Sequence, residues 1–189
     1  FINKEVNIVG TDDTELFEVN RRDDDSTQVT VYKINKQGER DNILIDRTFH
    51  SSVTKEIRLY GLGDNDQFNV QGQTESGILV RIIGGNGVDQ YIDSSVVTGK
   101  AKATRIYDST GNIFKTGDEA KKIYTRDSLL VEYDRKGFKY NKLVPKFRPG
   151  YNIDDGIYIG GGFTLTKQKF GKEPYGFTET LAGNYAFAT

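Results

Sequence analysis

VRIIGGNGVDQYID, Val80 to Asp93, is the stretch on which the fold turns. Its GGNGVD centre has the form of a calcium-binding β-roll turn, in which glycine lets the backbone approach an ion and aspartate supplies a hard oxygen ligand. A weaker version stands upstream as IRLYGLGDNDQFNV (Ile57 to Val70), and a weaker one still as VNIVGTDDTELFEV (Val6 to Val19). Aligned, each begins with an apolar-alternating run that ends on glycine: Gly10, Gly61 and Gly84. Turn residues follow, then an acid (Glu15, Asp66, Asp89), a spacer and an aromatic (Phe17, Phe68, Tyr91).

A degraded fourth copy starts at Thr104 (TRIYD), and Val29-Thr30-Val31-Tyr32 starts a fifth without its glycine. Recurrence at about 20–50 residues marks stacked supersecondary units, each burying its apolar edge only against a neighbour. The expected fold is therefore mainly β. Residues 1–115 form a β-solenoid-like or layered β domain of strand–Gly-turn–strand repeats, with an ordinary β-sandwich as the alternative. Residues 116–150, with prolines at 145 and 149, predict a connector with a short helix around Ser128 to Tyr133. Residues 151–189 predict a β-hairpin. In GIYIGGGFTLT, Ile157, Ile159, Phe163 and Leu165 share one face; in FTETLAGNYAFAT, Phe177, Leu181, Tyr185 and Phe187 do the same. Small and polar residues take the opposite faces. Strands of this length, apolar on one side, are what a membrane β-barrel hairpin requires, although a soluble hairpin alternates in the same way and Glu179 falls on the apolar face.

Composition narrows the function classes. The 189 residues carry 26 basic and 27 acidic side chains, mixed along the chain, for a net charge of −1. No basic stripe is visible in the sequence, so nucleic acid is not an expected partner. RRDDD, Arg21 to Asp25, cancels itself and reads as a solvated turn. There is no cysteine, which removes thiolate chemistry and disulfides. No apolar run is long enough for a membrane helix. The chain begins with Phe1, as expected of a piece of a longer protein.

The residues YNIDDGIYIGGGFTLTKQKFGKEPYGFTETLAGNYAFAT resemble the opening strands of the BamA-like (surface antigen) outer-membrane barrels of Gram-negative bacteria. They are most similar to those barrels that follow a calcineurin-like metallophosphoesterase. Asn152 to Gly162 resembles the stretch that opens the barrel, Lys172 to Tyr175 its first hairpin, and Gly183 to Thr189 the strand after it. LYGLGDNDQFNV and RIIGGNGVDQYIDSS resemble the segment that joins phosphoesterase to barrel. The resemblance implies a linker β domain plus the first barrel strands, located in the outer membrane or periplasm. Its implied partners are the neighbouring domains of a longer parent and the membrane itself. The metal-binding His and Asp motifs of a phosphoesterase are absent from this sequence, so neither that activity nor a closed barrel carries over.

Three functions follow in order. The first is a non-catalytic extracytoplasmic domain that links or positions a neighbour at such a barrel, with no cofactor. The second is a calcium-stabilised binding or adhesin module. Its candidate ligands are Asp64, Asp66 and Asp89, and its candidate turns are Gly61, Gly63, Gly84, Gly85 and Gly87. Against it, β-roll turns recur about every nine residues rather than every 23, and Leu62 stands where a glycine belongs. The same glycines and acids suit tight turns, glycine by its positive φ and aspartate by capping backbone N–H groups. The third is a carbohydrate-active β-solenoid enzyme, which needs two carboxyls facing one groove. His50 is the sole histidine and cannot build a two-His metal site. The exposed apolar face of the final hairpin also predicts self-association of the isolated chain.

Overall fold

The computed structural model describes residues 4–99, 102–154 and 156–187, and divides into two compact units, Phe1–Tyr133 and Asp134–Thr189. Both are built from strands. In the first unit these are β1 (Glu5–Val9), β2 (Glu15–Arg21), β3 (Ser26–Ile34), β4 (Arg40–His50), β5 (Glu56–Leu62) and β6 (Gln67–Gln71). They continue as β7 (Gln73–Thr74), β8 (Leu79–Gly85), β9 (Gln90–Asp93), β10 (Val96–Val97), β11 (Thr104–Asp108), β12 (Ile113–Thr116) and β13 (Ala120–Tyr124). One turn of helix, α1 (Ser128–Val131), follows. Asp127 caps it by accepting from the Leu129 N–H.

The repeated runs pair with one another rather than with their own sequence neighbours. β1, β5, β8, β11 and β13 form a five-stranded sheet in that order. All its pairs are parallel, with Val6 beside Ile57, Ile57 beside Val80, and Val80 beside Thr104. β2, β6, β9 and β12 form a second parallel ladder, with Phe17 beside Phe68, Phe68 beside Tyr91, and Tyr91 beside Phe114. β7 and β10 make a small parallel pair. A 23-residue offset between Val80 and Ile57 thus returns the chain to the same height on the next layer. Between the sheets lies the core, which includes Val19, Ile57, Leu59, Phe68, Val80, Ile82, Tyr91 and Ile106.

Three features depart from expectation. Val29–Tyr32 does not continue the parallel sheet. It lies in β3, which runs antiparallel between β2 and the edge strand β4 of the second sheet. Its lack of a glycine corner is the reason, since the chain folds straight back as a hairpin. Ala120–Tyr124, in the segment expected to be a connector, is the fifth strand of the parallel sheet. Lys142–Asn152 is likewise a strand, so the second unit is a three-stranded antiparallel sheet: β14 (Lys142–Asn152), β15 (Gly156–Lys167) and β16 (Phe177–Ala186). Ala188 and Thr189, the end of the expected last strand, lie outside the described residues.

Candidate functional site

Parallel stacking in register converts the repeated acid and aromatic positions into two interior columns. The aromatic column runs Phe17, Phe68, Tyr91, Phe114. Successive ring centroids lie 4.7, 5.3 and 5.0 Å apart, with planes within 20° of parallel. These spacings are those of adjacent strands, about 4.8 Å, so the backbone ladder sets the ring stack. Tyr124 closes the column edge-on, at 5.7 Å from Phe114.

The acid column runs beside it. The Glu15 N–H donates to Asp66 Oδ1 at 2.8 Å, the Asp66 N–H donates to Asp89 Oδ1 at 2.8 Å, and the Asp89 N–H donates to Asn112 Oδ1 at 2.7 Å. Asp66, Asp89 and Asn112 therefore each cap the turn of the layer before, while Glu15 accepts from the Thr11 N–H of its own turn. Asn112 and Phe114 belong to the fourth copy and escape the sequence alignment. Its turn is one residue shorter than the others, and an amide replaces the acid.

Glycine makes room for this column. A Cβ on Gly61 would lie 2.2 Å from Asp66 Oδ2 and 2.5 Å from the Gly84 carbonyl. On Gly84 it would meet the Tyr91 hydroxyl at 2.0 Å, Asp89 Oδ2 at 2.2 Å and Asp108 Oδ2 at 2.4 Å. Gly85 and Gly87 serve differently, with φ of 103° and 136°. Leu62 takes φ 80° at the position paired with Gly85, so the missing glycine is replaced without changing the turn. Gly63, by contrast, would admit a Cβ in ordinary contact with Asp12.

Burial dominates the electrostatics. Asp66 and Asp89 are 1% and 0% exposed. Desolvation raises the Asp66 carboxyl to about 8 against the hydrogen bond from Glu15, with Asp89 and Glu15 adding repulsion. It raises Asp89 to about 7, with Asp108 adding to the effect. Asp66 Oδ2 has no hydrogen-bond partner. The Tyr91 hydroxyl lies 3.3 Å from Asp89 Oδ2 and also bonds Asp108 Oδ2, and burial among these acids pushes its own pKa upward.

The candidate calcium ligands are thus split. Asp66 and Asp89 turn inward to backbone N–H groups. Asp64 stays exposed at φ 64° and accepts from the Asn65 N–H. Among the described residues no group of three or more His, Cys, Asp or Glu side chains is arranged to hold a metal ion. His50 ends β4 in an exposed position, and the neighbouring Ser51 hydroxyl bonds Asp25 Oδ1 at 3.1 Å.

Two arrangements of basic residues were not foreseen. Arg21, expected in a solvated turn, is 1% exposed; it donates to the Ile78 carbonyl at 2.8 Å and to the Thr104 hydroxyl at 3.2 Å, tying β2 to later layers. Strand pairing also lines up Arg58, Arg81, Arg105 and Lys121 in one row, although they are scattered in sequence. Glu56 neutralises its first half, contacting Arg58 at 2.5 Å and Arg81 at 2.9 Å.

In the second unit the candidate feature is a surface. Register places Leu143, Phe147, Ile157, Phe163, Leu181 and Tyr185 on one face, all exposed. The other face carries Lys142, Lys146, Arg148, Thr164, Thr180 and Asn184, and the Thr164 and Thr180 hydroxyls bond at 2.8 Å. No family model, curated protein or solved structure matches this chain.

Proposed function

We propose that the chain is a non-catalytic envelope module. Its second unit presents a lipid-facing sheet that opens a BamA-like outer-membrane barrel, and its first unit connects or positions a neighbouring domain there. The observation that carries the proposal is the two-faced sheet. Three successive antiparallel strands of 11, 12 and 10 residues keep mostly apolar side chains on one face, with Lys167 and Glu179 toward one end of it, and mostly Lys, Arg, Thr, Asn and small residues on the other. Strands of roughly 9–11 residues span the hydrocarbon layer, and apolar-out, polar-in alternation is how such strands face lipid. Exposure supports the reading: Phe147 is 74% exposed and Leu181 63%, a cost in water that contact with acyl chains removes.

On the same reading the parallel ladders of the first unit are a short β-solenoid, whose layers are β1–β2, β5–β7, β8–β10 and β11–β12. Its interior acids are capping groups rather than catalysts. No second functional reading is favoured by a particular observation.

The chain has no tryptophan, so single-tryptophan variants give a clean test in proteoliposomes containing brominated lipid. Leu181→Trp should be strongly quenched and its neighbour Thr180→Trp weakly. Equal quenching at both positions, or none at Leu181→Trp, would refute the lipid-facing assignment.

A further inference from the structure

The two ends of the three-stranded sheet differ in charge. At one end residues 134–141 run into β14, and the turn between β15 and β16 lies beside them. The Gln168 N–H donates to Asn141 Oδ1 at 2.7 Å, and Lys139 pairs with Glu173. The entering segment brings Arg135, Lys136, Lys139 and Lys142, and the turn brings Lys167, Lys169 and Lys172, all exposed. Against these seven cations stand three acids, Asp134, Glu173 and Glu179. Among the described residues Lys139 alone of the seven is held in an ion pair. Phe138, Tyr140, Tyr175 and Phe177 are exposed in the same segments. The opposite end, which carries Asp154, has no Lys or Arg from 150 to 158 or from 184 to 187.

Strand length separates these ends by the thickness of a bilayer core. β14 has 11 residues. At a rise of about 3.3 Å they extend ~36 Å, or ~25 Å along the normal at a tilt of about 45°. That matches the apolar band of a membrane strand, so on the lipid-facing reading the two ends lie in opposite headgroup layers. Lys167 is the last residue of β15 on the apolar face, beside Phe177. Its aliphatic stem can lie along lipid while the ammonium reaches the headgroups. Clusters of about four to eight Lys and Arg at a membrane boundary bind anionic lipid by charge. Each adds about fivefold in affinity, within a Debye length of roughly 10 Å.

We infer that this basic end is a binding surface for the phosphate groups of anionic lipids in a bilayer. The inference deepens the lipid-facing reading and rests on it for placing that end at a headgroup layer. Six of the seven cations are lysines. Compact ammonium groups on flexible stems suit an array of headgroup phosphates rather than one fixed ion. Overall charge does not supply the attraction, because the whole chain carries −1. Only a local concentration of cations draws such a chain to an anionic surface.

Cosedimentation with vesicles tests it. At about 50 mM salt the chain should partition at least about tenfold more strongly onto phosphatidylcholine vesicles containing about 30% phosphatidylglycerol than onto phosphatidylcholine alone. The gain should vanish at about 1 M salt, where the Debye length is about 3 Å. Lys169→Gln/Lys172→Gln should cut the gain at least about fivefold, and Lys169→Arg/Lys172→Arg should keep it. Lys36→Gln/Lys121→Gln, the same charge loss at exposed sites in the first unit, should leave it unchanged. Inorganic phosphate at matched ionic strength should not displace the chain. Equal partition onto both vesicles, a gain indifferent to salt, equal loss in the two Gln pairs, or displacement by inorganic phosphate would overturn the inference. Brominated acyl chains in the same vesicles read Leu181→Trp separately. Quenching without a phosphatidylglycerol gain sinks the basic end and keeps the lipid-facing sheet. A gain without quenching keeps the basic end and sinks the lipid-facing sheet, and the absence of both sinks the two together.

Discussion

Gly84 shows how much one residue decides. It does not take a positive φ; it leaves space into which Tyr91, Asp89 and Asp108 all project. Gly84→Ala forces a methyl group against three buried oxygens and should cost at least ~1–3 kcal/mol, read as a lower urea midpoint with an unchanged slope. A stability equal to wild type would show that the column moves aside at no cost. Asp66 and Asp89 set the pH behaviour. Their folded-state values, about 8 and about 7, exceed the ordinary aspartate value of 3.8. The folded chain thus holds protons that the unfolded chain releases, and the stabilisation these two carboxyls contribute is fully present only below about pH 4. It falls as pH rises through the interval up to about 7 for Asp89 and about 8 for Asp66. Melting temperature should accordingly be higher at pH 5 than at pH 8.5, and Asp66→Asn should flatten the upper part of the curve. A melting temperature that rises across this range would contradict protonated interior acids.

Among the elements, the layers are joined by the acid–amide ladder as well as by strand pairing. Asn112 is its last acceptor and holds the Asp89 N–H. Asn112→Ala leaves that donor without its partner at a partly buried site, for a loss of about 1 kcal/mol and faster exchange of the Asp89 amide. Unchanged exchange would remove Asn112 from the ladder. β14 carries the opposite lesson. Pro145 and Pro149 mark a connector when read in sequence, yet the strand forms: the Phe187 N–H bonds the Ile157 carbonyl, and strict alternation along the two ladders then turns both ring nitrogens away from β15. Which side of a strand is an edge is not written in its own residues. Arg21 was hidden for a similar reason: it adjoins the exposed Arg22–Asp25 turn, but ends β2 with its side chain inward.

At the scale of the whole molecule, the features legible in the residues alone are local: the strands of the repeated units, though not Ala120–Tyr124 or Lys142–Asn152, the glycine corners, the acid–spacer–aromatic order, and a two-faced C-terminal segment. Period-two alternation and glycine chemistry act over a few residues, so they survive in a one-dimensional string. Partnership was decided only in three dimensions. That Ile57 lies between Val6 and Val80, that Val29–Tyr32 folds back as a hairpin, and that Ala120–Tyr124 extends the parallel sheet all depend on which edges meet. The same holds for the inward turn of Asp66 and Asp89, whose donors come from the preceding layer, 51 and 23 residues away. Backbone hydrogen bonds between strands carry no side-chain identity, and interior acids are defined by neighbours distant in the chain; tertiary structure alone supplies both.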